Sequence, residues 1–115
     1  MNIWLDDVRM PEKDPDYIID PPPVADWIWV KNLAELEVLL MTFEGRIDVM
    51  SFDHDLGLGE PTGYDIIKWL QENHLDRYPR RTTVHSWNPI GAKNIRMFDA
   101  NVRKHLLGGA EMAQS

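Results

Sequence analysis

The chain contains no cysteine. That excludes a disulfide framework and any thiolate metal site. Cationic side chains are also scarce, 12 Lys and Arg against 19 Asp and Glu, for a formal net charge of −7. Coating a nucleic-acid backbone runs on Lys and Arg, so a long duplex partner is excluded, while a small anion in a local pocket is not. Long apolar runs are missing as well. The opening MNIWLDDVR places acids where a leader peptide needs an apolar stretch, and no segment approaches the length of a membrane span. The expectation is a cytoplasmic protein without a membrane partner. Repeats are absent, and so is any low-complexity tail longer than GGAEMAQS. What remains is ordinary for a folded domain: 43% apolar and 27% charged residues over 115 positions, enough for one modest core. A single domain over 1–107 is expected, with 108–115 as a flexible tail.

The pattern of periods places the elements. Asn2 to Leu5 reads as a short strand ending at Asp6–Asp7. The passage PEKDPDYIIDPPP cannot be regular helix, because proline removes donors and restricts the residue before it. WIWV, Trp27 to Val30, is a dense run of β-formers and a second strand. Asn32 looks like an N-cap with Glu35 at the capping-box position. Leu36, Leu39, Leu40 and Phe43 then come at helical spacing, with Gly45 as the stop. Asp48 to Phe52 is a third strand. Past GLGEPTG, Tyr64, Ile67, Leu70 and His74 share a helix face. Thr82 to His85 is a fourth strand, and NPIG leads into a last helix with Ile95, Phe98, Val102 and Leu106 inward.

Strands alternating with helices mean βαβ units, a parallel sheet and right-handed crossovers. In such sheets ligands sit beyond the carboxyl ends of the strands. Asp6 and Asp7, Lys31 and Asn32, Asp53, His54 and Asp55, and His85, Ser86 and Asn88 all lie at or just past strand ends, so most of the unusual polar residues share one rim. Arg9 is either a phosphate ligand by its fork geometry or a salt-bridge partner of Asp7. Ser86 either donates to a phosphate oxygen or starts a turn. Asn88-Pro89 is a turn initiator and N-cap, and with Gly91 it offers backbone N–H groups to an anion. Asn94, one turn in, contacts a ligand or only solvates the helix. Trp87 on the rim either stacks on a base or covers the sheet end, and Tyr17 in the proline-rich loop is a weaker candidate for the same role. That loop could serve as a lid. Trp4, Trp27 and Trp29 fall in strands and read as core, and His74 and His105 read as packing residues.

LDD after the first strand and a lone Asp after the third resemble the response-regulator receiver domain. More closely, LDDVRxP, SFDHDLG, GYD and HSWNPxGxxNI together resemble the cyclic-phosphate-processing receiver-like family, over Leu5 to about Ile95. The resemblance implies a small α/β, flavodoxin-like three-layer sandwich with helices on both faces of a parallel sheet in order 2-1-3-4. The fifth receiver strand, with its Lys, is missing from this sequence. The implied activity is on a cyclic phosphate of a nucleotide-like substrate, a free nucleotide or a cyclic-phosphate RNA end.

In that order the third and fourth strands are neighbours, roughly 4.8 Å apart. His54 and His85 can then flank one phosphorus atom as a general acid and base, a task suited to imidazoles near neutral pH. Asp53 or Asp55 would orient them. Neighbouring first and third strands would also bring Asp6, Asp7 and Asp53 together, and Mg²⁺ would relieve their repulsion unless Arg9 or Lys31 pairs with them. Zn²⁺ lacks a recognisable ligand spacing here. The expectation is therefore a phosphoesterase using His54 and His85. The alternatives are an inactive receiver-like module that binds a nucleotide or a protein, and an Mg²⁺-dependent phosphatase built on the aspartates.

Overall fold

The computed structural model describes residues 1–9 and 22–114. Strands β1 (Asn2–Leu5), β2 (Trp27–Val30), β3 (Val49–Phe52) and β4 (Arg81–Val84) are joined with helices α1 (Leu33–Thr42), α2 (Gly63–Asn73) and α3 (Pro89–Gln114). Every strand pair is parallel, and the order is β2-β1-β3-β4. This is the receiver-like α/β sheet that the sequence predicts, with no fifth strand among the described residues. Three boundaries move by one residue. β3 starts at Val49 rather than Asp48, and β4 starts at Arg81 rather than Thr82 and ends at Val84, so His85 lies just beyond its strand instead of inside it. Tyr17 and most of the proline-rich passage lie outside the described residues. The bounds of α3 take in most of the 108–115 stretch expected to be a tail. Among the described residues no helix is long and apolar enough to cross a membrane.

The helices are not distributed as expected. Ile3, Leu5, Val30, Met50, Phe52 and Val84 from one face of the sheet join Leu36 and Leu40 of α1, Ile66, Ile67 and Leu70 of α2, and Ala92, Ile95 and Val102 of α3 in one buried cluster. The opposite face contributes a separate small cluster, Trp4, Trp27 and Val49. Among the described residues the molecule therefore has two layers rather than three. Chain direction explains this. The steps β2 to β3 and β3 to β4 both run the same way across the sheet, so right-handed crossovers put α1 and α2 on the same side. Only the β1-to-β2 connection runs the other way, and most of it lies outside the described residues. A strand and helix after α3, which a receiver would use to cover that second face, are not part of the described fold.

Local signals set the helix ends. Asn32 caps α1 by accepting the Glu35 N–H at 2.9 Å, but the Glu35 carboxylate reaches back to the Lys31 N–H, at 2.7 Å, instead of closing a box on the cap residue. The complete capping box belongs to α2, where Thr62 and Asp65 exchange side-chain-to-backbone bonds. Pro89 opens α3, at the position where its missing N–H costs nothing. Asn88 caps the same helix by accepting the Gly91 N–H at 2.9 Å.

Candidate functional site at the strand ends

Side chains alternate along a strand, so the residue after a core-facing one points to the opposite face. Leu5, Phe52 and Val84 end their strands facing the helices. Asp6, Asp53 and His85 come next, and the ladder continues through them. The Asp6 N–H donates to the Val30 carbonyl, that of Asp53 to Leu5 and that of His85 to Phe52, at 3.0, 2.9 and 3.0 Å. Three polar side chains thus stand in one row across β1, β3 and β4, on the face without helices. A carboxylate oxygen from each aspartate and a ring nitrogen of His85 all lie within 4.8 Å of one another.

His85 is held from three sides. Its Nδ1 lies 2.7 Å from Ser51 Oγ and its Nε2 3.2 Å from Asp6 Oδ2. Its ring stacks on Trp4, with centroids 3.8 Å apart and planes 9° from parallel. Only 4% of the side chain is exposed. Burial penalises the imidazolium more than Asp6 stabilises it, and the pKa falls to about 4. The ring is neutral at physiological pH. An ionised Asp6 only accepts, so Nε2 carries the proton and Ser51 donates to Nδ1.

The two carboxylates are a buried like-charge pair. Burial, then the Asp6 charge, raises the pKa of Asp53, against hydrogen bonds from the His54 N–H and Ser86 that hold it down. Asp6 Oδ1 accepts the N–H groups of Val8 and Arg9, each at 3.0 Å. Among the described residues the cation beside Asp6 is half-exposed Arg9, whose Nε stays 3.9 Å from Asp6 Oδ2. Two carboxylates and an imidazole suit Mg²⁺, Mn²⁺ or Zn²⁺ by donor chemistry, and their mutual spacing fits a single ion. If His85 Nε2 were a ligand, Nδ1–H would donate to Ser51 Oγ, an outer hydrogen bond that fixes the tautomer and the ring orientation. Asp7, expected in this cluster, is not part of it. It acts on Asp53 only through its charge. His85 takes that third place.

His54 is one residue further along its chain than the row, so it faces the other way. Its Nδ1 lies 3.1 Å from Asp55 Oδ1 and 3.4 Å from the Asn88 amide, whose Nδ2 is also 3.4 Å from Asp55 Oδ2. The ring lies against the first turn of α3, where any side chain at Gly91 would strike it. Gly63 at the start of α2 serves similarly. Its N–H donates to the His54 carbonyl at 2.8 Å, and a Cβ there would collide with the Asp53 carbonyl. No hydrogen bond or ring contact joins the two histidines among the described residues. Each instead has its own carboxylate, Asp55 for His54 and Asp6 for His85.

The remaining candidates divide. Ser86 Oγ accepts the Asn88 N–H at 3.1 Å and also bonds Asp53, so it links the row to the α3 cap. The Gly91 N–H is used by that cap and does not face a ligand. Arg9 places its guanidinium 5.4 Å from the ring of Trp87, which is 82% exposed. Asn94 is exposed on α3, with no described contact to the row. Ser51 and Trp4 look like plain strand and core residues in the sequence, yet they hold His85. Trp29, expected in the core, is 37% exposed, and its indole N–H donates to the Asp6 carbonyl at 2.6 Å. Alternation is the available signal for all three, since Trp29, Trp4 and Ser51 occupy one register row on the face of the sheet that carries Asp6.

A family model described as "Cyclic-phosphate processing Receiver domain" matches residues 1–99. No curated protein and no solved structure is detectably similar to the chain.

Proposed function

Because the chain belongs to the cyclic-phosphate processing receiver domain family, we propose that it hydrolyses a cyclic phosphodiester of a nucleotide-like ligand at the strand ends. The observation that carries this reading is the buried row Asp6, Asp53 and His85, with Arg9 beside Asp6 and the His54–Asn88 contact beginning one residue past Asp53. Water adds to phosphorus, the ring P–O bond breaks, one proton leaves the water and one reaches the departing sugar oxygen. The product is a phosphomonoester.

The two histidines divide the work. Asp55 beside Nδ1 of His54 favours a proton there, which leaves Nε2 with a lone pair for the water proton. His85 positions rather than transfers: without a metal its N–H holds Asp6, with one its Nε2 lone pair would be a ligand, and in both cases Trp4 and Ser51 hold its ring. A divalent cation bound by Asp6, Asp53 and His85 would polarise a phosphoryl oxygen and offset charge developing on it. Arg9 supplies a guanidinium for a nonbridging oxygen.

Phosphorus NMR with purified protein and 2′,3′- and 3′,5′-cyclic nucleotides tests the reading. Conversion of a cyclic-phosphate signal to a monoester signal is expected, slowed by EDTA and restored by Mg²⁺ or Mn²⁺. No conversion of any of them, with or without metal, would remove hydrolysis and leave a binding module.

A further inference from the structure

Two indoles flank the carboxylate row, each with a cation against its ring. Trp87, just past β4, faces Arg9 at 5.4 Å. Trp29, in the edge strand β2, carries the Lys31 ammonium 4.7 Å from its ring centroid. Trp29 is tied to the row itself through its bond to the Asp6 carbonyl. Arg9 is tied to it through the Asp6 carboxylate. β2 and β4 are opposite edges of the sheet, three strand spacings or about 14 Å apart, so the two stations belong to different edges. Stacked bases are about 3.4 Å apart along a strand, so a ligand touching both indoles has more than one base.

An exposed aromatic beside a cation is the usual unit of single-strand binding. The ring stacks on a base of any identity and the cation takes the adjoining phosphate. Among the described residues the rim has two such units, and the net charge of −7 keeps the footprint short. We infer that the ligand is the end of a single-stranded oligonucleotide at least two nucleotides long, with the terminal base on Trp87 and a preceding base on Trp29 beside Lys31. This rests on the site reading above and deepens it, by making the site one for chain ends rather than for free mononucleotides.

The test compares a fluorescein-labelled RNA trinucleotide ending in 2′,3′-cyclic phosphate, the same trinucleotide with a 3′-hydroxyl end, and a labelled 2′,3′-cyclic mononucleotide, by fluorescence polarisation. Both trinucleotides are expected to bind the wild type at least about 5-fold more tightly than the mononucleotide, the lower end of one added base stack. Trp29→Leu and Lys31→Gln should shrink that ratio, while Trp29→Phe, which keeps a stacking ring but loses the indole N–H, should retain most of it. Log Kd against log salt should have a slope of about 1.4 or less, for two phosphates neutralised on a single strand. Equal affinity for mono- and trinucleotide, or a ratio unchanged in folded Lys31→Gln and Trp29→Leu, would overturn the inference. Preference for the trinucleotides without turnover of any cyclic phosphate would overturn hydrolysis and leave the inference standing. Turnover of mononucleotides without that preference would do the reverse.

Discussion

His54 and His85 differ by one position relative to their strands, and that offset separates their roles. His85 is buried against Trp4 with both nitrogens occupied, whereas His54 lies against the first turn of α3. His54→Ala is expected to leave thermal stability nearly unchanged and to lower turnover by about 10²–10⁴, the worth of a positioned proton acceptor. His85→Ala should lower turnover too, but also cost at least about 2 kcal/mol in chemical denaturation, because buried Asp6 Oδ2 and Ser51 Oγ lose their hydrogen bonds to the ring. Equal stability of the two variants would show that the burial of His85 is not structural. Acid sharpens the contrast. His85 has a folded pKa of about 4, below its ordinary value, so the unfolded chain binds more protons in between. Its contribution is present above about pH 6.5 and is lost as the pH falls toward 4. Asp53 has the opposite sign. Its raised pKa makes the ionised carboxyl a liability at neutral pH, so metal-free Asp53→Asn is expected to melt higher than wild type there. Scanning calorimetry from pH 7 downward should show that advantage shrinking as wild-type Asp53 takes up its proton.

At the scale of elements, the site depends on helix starts meeting strand ends. Gly91 and Gly63 are the points of closest approach, and neither has a positive φ, so space rather than backbone conformation requires glycine. At Gly91 an added methyl meets a movable imidazole; at Gly63 it meets the backbone carbonyl of Asp53. Gly91→Ala is therefore expected to fold with His54 displaced and turnover reduced. Gly63→Ala should instead lose stability, with a lower urea midpoint. Thr62→Ala removes the α2 capping bond and should cost about 1 kcal/mol by the same measurement. Asp65 completes that box with its pKa held down by the Thr62 N–H, so this stabilisation is present at neutral pH and is lost as acid protonates the carboxylate. The box is legible in the sequence as T-G-Y-D, although the pattern at Asn32 is the one that looks like a box. Pro61 and Gly63 on either side of Thr62 give it the look of a turn rather than of a cap.

For the whole molecule, a cation held by the buried carboxylate pair of a chain of net charge −7 would add to global stability. An ion that binds only the folded state at ten times its Kd adds about 1.4 kcal/mol. For a domain of about 100 residues that is a rise in Tm of roughly 6–11 °C. Differential scanning fluorimetry with Mg²⁺, Mn²⁺ and Zn²⁺ is expected to show such a rise for at least one ion, and Asp53→Asn should abolish it. No shift with any of the three would remove the cation from the site.

Hydrophobic period and strand-ending polar residues determined much of this protein from its sequence. Period separates strands from helices, and a parallel sheet gathers the residues past its strand ends at one rim. Asp6, Asp53 and His85 were legible in this way, as was the Asn88 cap. Only the tertiary structure decided which of them meet. β3 and β4 pair in the register Phe52 to Val84, so the next residue of each, Asp53 and His85, stand side by side on the opposite face. That register replaces the expected pairing of His85 with His54 by a row in which His85 stands with two aspartates. The roles of Trp4, Trp29 and Ser51 were hidden for the same reason. Composition marks them as strand residues, but the handedness of the crossovers decides which face carries the helices, and these three lie on the other.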